Sequence, residues 1–103
     1  VREEKELLRI AHKDVELDVA RGCLIFRGQD VELTKNELKI LHYLFLNKGK
    51  IVSRRNLIDY LWDNQVFIDD NTLSVNMTRI RAKLEQAGVH EFITTKRGLG
   101  YFI

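Results

Sequence analysis

The chain has 103 residues, 45% of them hydrophobic and 31% charged, with no proline, one cysteine and a formal net charge of +2. That length suits one domain with its own core. The composition excludes a disordered chain, the lone cysteine excludes an internal disulfide or a thiolate metal cluster, and the lack of an apolar run of about 18 residues excludes a transmembrane helix.

The cysteine, Cys23, stands beside Leu24, Ile25 and Phe26. It reads as an inert buried thiol, and its solitude suits the cytoplasm. The chain starts at Val1 with no signal-peptide pattern and reads as a piece of a longer protein. Its charge is uneven. Residues 1–32 hold six basic and eight acidic side chains, and residues 33–103 hold eleven and seven. A net −2 front and a net +4 back suit a domain that turns one face to a polyanion, although ordinary surface charge gives the same sums.

Residues 1–13 alternate charges without turn signals and read as a linker, with a helical stretch over Glu3–Ile10. Residues 14–103 read as the folded domain. From Val15 the period becomes two, through Val15, Leu17 and Val19, then Cys23 to Phe26, then Val31 and Leu33. The breaks fall at Arg21-Gly22 and Gly28-Gln29-Asp30, which predicts an antiparallel β-meander. Thr34 with Glu37 is a capping box, and Leu38, Leu41, Leu44 and Phe45 follow at helical spacing. Asn47-Lys48-Gly49 stops that helix, and Ile51-Val52 is a short extended link. Ser53 caps a short second helix carrying Leu57, Ile58, Leu61 and Trp62. After a loop over Asp63–Ile68, Asp69 or Asp70 caps a third helix with the stripe Leu73, Met77, Ile80 and Leu84, and Gly88 ends it. Phe92–Thr95 and Tyr101–Ile103 read as a terminal hairpin turning through Lys96–Gly100. Strands, three helices and a hairpin make an α+β winged helix-turn-helix.

The third helix carries the chemistry. With its buried stripe centred on Leu73, roughly 100° per residue puts Asn71, Val75, Thr78 and Ala82 on the opposite side, flanked by Ser74 and Arg79. Small side chains permit close approach to a major groove. There Arg reads guanine, Asn reads adenine, and an apolar branch meets the thymine methyl. A solvated amphipathic helix is the bland alternative, and Val75 argues against it. In the hairpin turn, Lys96 and Arg97 sit beside Gly98 and Gly100. A slim basic tip suits a minor groove or a phosphate, or merely aids solubility.

Asp70–Leu84, followed by Thr95-Lys96-Arg97-Gly98-Leu99-Gly100-Tyr101, resembles the effector domain of OmpR/PhoB-type response regulators. Leu33–Leu38 and Val52–Leu57 resemble that family's first two helix starts, and the third helix is similar to the subgroup linked to cell-envelope and antimicrobial-peptide stress. The resemblance implies sequence-specific binding of double-stranded DNA by the effector of a two-component transcriptional regulator. Asn71, Thr72, Val75, Thr78 and Arg79 would face bases or nearby phosphates in the major groove, and Arg97 would enter the minor groove. Arg54 and the Trp62 indole, its ring mostly buried, would hold phosphates, with Arg81, Thr95 and Lys96 nearby. The family often has Arg or Lys where this chain has Asn71 and Thr78, which implies fewer phosphate contacts and a different base preference. The resemblance also gives the Asn64-Gln65-Val66-Phe67 loop a contact with RNA polymerase, while Ile68 packs in the core. It further implies a monomeric isolated domain that pairs head to tail on direct repeats.

An enzyme is the main excluded class. His12, His42 and His90 lack metal-ligand spacing, and no nucleophile–base set or carboxylate pair stands out. No cofactor or metal is expected, and no membrane partner. The remaining alternative is a winged helix used for protein–protein contact. A single-strand or RNA reader would need stacking aromatics on the basic face.

Overall fold

A computed structural model describes residues 9–103. Four strands, β1 (Arg9–His12), β2 (Val15–Asp18), β3 (Cys23–Phe26) and β4 (Gln29–Glu32), form an antiparallel sheet in that order. Three helices follow, α1 (Lys35–Leu46), α2 (Arg54–Asp63) and α3 (Asp70–Ala87), and then the hairpin of β5 (Thr94–Lys96) and β6 (Gly100–Phe102). This is the winged helix that the sequence predicts.

The meander has one strand more than its sequence pattern implies. Arg9–His12 pairs with Val15–Asp18 in the register Arg9↔Asp18 to His12↔Val15. The expected linker over 1–13 therefore gives way to a strand by Arg9, and the expected helix over Glu3–Ile10 does not extend through Arg9 and Ile10. Residues 1–8 lie outside the described residues. The β1–β2 turn is Lys13-Asp14, with φ of 50° and 66°, the left-handed pair of a tight two-residue hairpin. The β3–β4 turn is Arg27-Gly28, so Gln29 and Asp30 belong to the strand and not to the turn.

Each helix starts where a side-chain oxygen meets the first free amides. Thr34 accepts from the Glu37 N–H while Glu37 reaches back to the Thr34 N–H, the complete capping box. Ser53 accepts from the Asn56 N–H. Asp69 is the cap of α3, accepting from the Thr72 N–H at 2.8 Å, and Asp70 is already helical. Gly88 ends α3 in the left-handed region at φ 94°. No helix among the described residues is long and apolar enough to cross a membrane.

The core lies between the sheet and the helices. Leu17 and Leu24 meet Ile40, Leu41, Leu44 and Phe45 of α1, Leu57 and Leu61 of α2, and Leu73, Met77, Ile80 and Leu84 of α3. Burying each such side chain is worth ~1.5–3 kcal/mol, and this stripe fixes which side of α3 faces outward. Cys23 is buried as expected, and burial pushes its thiol pKa up, away from reactivity. Val52 joins the hairpin through a single antiparallel bridge to Tyr101. Its N–H donates to Tyr101 O and its carbonyl accepts from the Tyr101 N–H, both at 2.8 Å.

Candidate nucleic-acid interface

The outward side of α3 is the one its stripe predicts. Asn71, Ser74, Val75, Thr78 and Arg79 are exposed and Thr72 is half-buried. Val75 shows 48% of its surface, a β-branched residue with no core to enter. Thr78 Oγ1 donates to Ser74 O at 3.0 Å, which folds its hydroxyl onto the helix and leaves its methyl free. Arg79 makes no ion pair or hydrogen bond to the described residues. Asn76 is a polar residue of α3 that turns inward. It is buried, and its amide donates to Thr72 O at 2.9 Å.

At the wing, Arg97, Gly98 and Leu99 are exposed and Leu99 shows 60% of its surface. Lys96 belongs to β5, with its ammonium 5.6 Å from the Phe102 ring centroid, so Arg97 stands alone as the cation at the tip. Gly98 at φ 76° makes the turn. Gly100 has a different job. An added Cβ there would lie 2.0 Å from Val52 O, so the glycine lets the hairpin lie against the chain before α2.

Several expected phosphate holders are instead occupied by protein. The Arg54 guanidinium donates from Nε to Asp70 Oδ1 at 3.3 Å, from Nη2 to Asp70 O at 2.8 Å and to Ser74 Oγ at 3.0 Å, and from Nη1 to the Tyr101 hydroxyl. Four of its five N–H donors are thus committed, tying the start of α2 to α3 and to the wing. Arg81 likewise joins α3 to the wing through the Thr95 hydroxyl and Ile93 O. Its side chain and that of Thr95 hold the hairpin against the helix.

The α2–α3 loop corrects two expectations. Trp62 is 53% exposed, because α2 aims its stripe through Leu57 and Leu61 and leaves position 62 to one side. Its indole N–H donates to Ile68 O at 3.0 Å, which fastens the loop and leaves no donor for a phosphate. Val66 is 4% exposed and packs in the core, so it offers nothing to a partner. Ile68 is in the core as expected. Phe67, 64% exposed, stands edge-on to Trp62 at 5.0 Å between ring centroids. Asn64 donates from its side chain to Tyr60 O, and Gln65 is exposed with φ 64°.

One ion pair behind the interface has no signal in the local sequence. Glu37, 1% exposed, meets Lys83 Nζ at 2.5 Å, and Lys83 also donates to Glu32 O at 2.9 Å. Burial pushes the Glu37 carboxyl up, but Lys83 and the Thr34 bonds outweigh it and hold the group below its ordinary value. The pair ties the underside of α3 to the start of α1.

Residues 28–103 match the model of the family described as "Transcriptional regulatory protein, C terminal". This chain belongs to that family. It is 40% identical over 99 residues to the response regulator protein GraR of Staphylococcus aureus, which covers 96% of this chain and 43% of that relative. The chain thus spans less than half the length of the curated relatives it matches. Its fold is similar to the C-terminal domain of the nisin resistance regulator NsrR, a lantibiotic response regulator, with TM-score 0.80, 37% identity and coverage of 90% of this chain and 94% of that one. It is also similar to the Klebsiella pneumoniae RstA DNA-binding domain, solved in complex with the RstA box, with TM-score 0.75, 26% identity and coverage of 92% and 95%. The OmpR/PhoB-type likeness stands, and the similarity to a nisin resistance regulator fits the subgroup that the third helix resembles. The chain thus carries the C-terminal domain of transcriptional regulatory proteins, the kind of domain that in RstA is solved on its DNA box.

Proposed function

We propose that this domain reads double-stranded DNA with the outward side of α3 in the major groove and Arg97 in the minor groove. The observation that carries it is the exposed α3 surface of Asn71, Val75, Thr78 and Arg79, set beside a basic, glycine-turned hairpin. Arg79 is suited to guanine, Asn71 to adenine, and Val75 with the Thr78 methyl to thymine. Thr72 at the first turn stands near the backbone. Arg54, Arg81 and Thr95 act chiefly by holding helix and wing in register, with Lys96 adding charge beside the tip.

In the whole regulator, two copies sit head to tail on direct repeats with half-sites ~10–10.5 bp apart. The isolated domain is a monomer that binds weakly. The loop of Asn64, Gln65 and Phe67, with the Trp62 edge, contacts RNA polymerase in the cytoplasm. Its exposed aromatic pair supports that reading. The test is selection of binding sites from random duplex DNA, followed by titration against one half-site and two, in direct and inverted order. Preference for direct repeats is the expected result. Equal affinity for every arrangement overturns the tandem reading, and no enriched sequence overturns readout by α3.

A further inference from the structure

The outer side of the wing carries positive charge beyond the contacts proposed above, continuing from Lys96 beside the tip. Lys96 and Phe102 lie diagonally on one face of the β5–β6 hairpin, where Lys96 pairs with Gly100 and Phe102 with Thr94. The opposite face holds Thr95 and Tyr101, turned toward Arg81 and Arg54. The Phe102 ring has a second cation beside it. Lys13 Nζ lies 5.9 Å from its centroid and Lys96 Nζ 5.6 Å. Lys13 comes from the far end of the sequence and is brought here by the β1–β2 turn, where it sits at φ 50°. A left-handed conformation is costly for a side chain of this kind and is held here by the hairpin. At the wing root the Gly49 N–H donates to Ile103 O, and Lys48 Nζ donates to Ala11 O at 2.9 Å. Lys50, exposed, follows on the same loop.

None of Lys13, Lys48, Lys50 and Lys96 makes an ion pair among the described residues. The field they produce is felt locally, since the charges of Lys13 and Lys48 add to burial in holding the His12 ring below its ordinary pKa. Asp14, on the same turn, is likewise outside any ion pair among the described residues. The acidic strands of the sheet are a poor match for this strip in a neighbouring copy. Arg9 already lies 3.9 Å from both Glu16 and Asp18, and Arg21 lies 2.5 Å from Asp30.

We propose that Lys13, Lys48, Lys50 and Lys96 form a second DNA-backbone contact on the outer side of the wing, extending the footprint beyond the minor groove that Arg97 enters. It rests on the DNA reading above and names a strand segment that reading leaves free. The ligand chemistry is a run of phosphates, held by charge without base preference.

The experiment uses a selected single half-site duplex, lengthened stepwise on the wing side only, with the intact domain. Affinity should rise with the added base pairs. Lys13→Asn with Lys50→Gln should abolish that gain and lower the salt slope by about two, one for each phosphate no longer neutralised. Asn tolerates the left-handed position, so the fold should be kept, and an unchanged unfolding midpoint verifies it. Lys13→Arg with Lys50→Gln should keep part of the gain. Sequence preference should stay intact in every variant, which separates this test from readout by α3. An unchanged length dependence and salt slope in the double variant overturns the proposal. So does a defect that appears only on duplexes with two half-sites, since the strip would then be touching a second copy.

Discussion

Gly100 and Val52 pack backbone to backbone. A Cβ built on Gly100 would stand 2.0 Å from the Val52 carbonyl oxygen and 2.8 Å from Ser53 Cα, at a φ of 141°. The contact is the seam where the wing joins the chain leading into α2, and both its backbone hydrogen bonds run through Tyr101. Gly100→Ala should therefore cost about 3 kcal/mol, combining clash with backbone strain, and should loosen the wing. Gly98 has open space around it and a φ of 76°. Gly98→Ala meets only the left-handed penalty of about 1 kcal/mol. Denaturant unfolding of the two variants checks the difference, and equal losses would mean that the close approach is unimportant.

Arg54 and Asp70 give a second prediction. With four of its five N–H groups donated to Asp70, Ser74 and Tyr101, Arg54 has little left for a phosphate. Arg54→Ala should lower stability by about 2 kcal/mol, chiefly through the Tyr101 hydroxyl and the Asp70 carbonyl. It should weaken DNA binding with little change in salt slope. Tyr101→Phe should reproduce part of the stability loss. A full unit off the slope with unaltered stability would restore Arg54 as a phosphate holder.

The contrast between these residues and the α3 stripe shows what a sequence carries in plain view. Leu73, Met77, Ile80 and Leu84 are legible because helical period is local, and so are the caps Thr34, Ser53 and Asp69 with their partners three residues on. Arg9–His12 is not legible as a strand, for its inward residues are only half-buried and it takes its shape from pairing with β2. The bonds of Arg54 to Tyr101 and of Lys83 to Glu37 span 47 and 46 residues. Nothing in the immediate neighbourhood of Arg54 announces that its charge is spent. Trp62 misleads for a related reason, since hydrophobic type alone does not say which side of a ten-residue helix is covered.

Stability should fall in two steps on acidification. Burial, aided by Lys13 and Lys48 and opposed by a bond to the Ile103 backbone, lowers the pKa of His12 from 6.5. Burial and Lys39 do the same to His42. The unfolded chain therefore takes up these protons first, and stability present above 6.5 is lost as pH falls toward the lower folded values. Glu37 is also held below its ordinary 4.5, so the stability its ionised form gives is present above 4.5 and lost as pH falls through the folded value. His12→Phe, which keeps aromatic packing against Phe45 and Phe92, should shrink the first step and spare the second. Glu37→Gln should remove the second and cost about 1 kcal/mol at neutral pH, because a neutral amide still accepts from Lys83 but no longer pairs with its charge. Unfolding free energies measured across this range, with ring resonances of His12 followed by NMR, decide it. A His12 pKa at or above 6.5 would contradict the first step.

On the DNA reading proposed above, α3 and the wing should fail differently when their free cations are removed. Arg79 projects from α3 with no partner among the described residues, and its fork can span guanine O6 and N7. Arg79→Ala should cost ~1–3 kcal/mol on the selected site and relax preference at one base pair. Arg97 stands at the turn tip, where a narrow A·T-rich minor groove concentrates negative potential. Arg97→Ala should weaken binding most on A·T-rich flanks and leave the central base preferences alone. Neither residue touches the core, so both variants should unfold at the parent midpoint. Titrating each against every single-base variant of the site, at two or more salt concentrations, separates the roles. A uniform loss for Arg79→Ala together with altered central preference for Arg97→Ala would mean that the domain docks with its two elements exchanged.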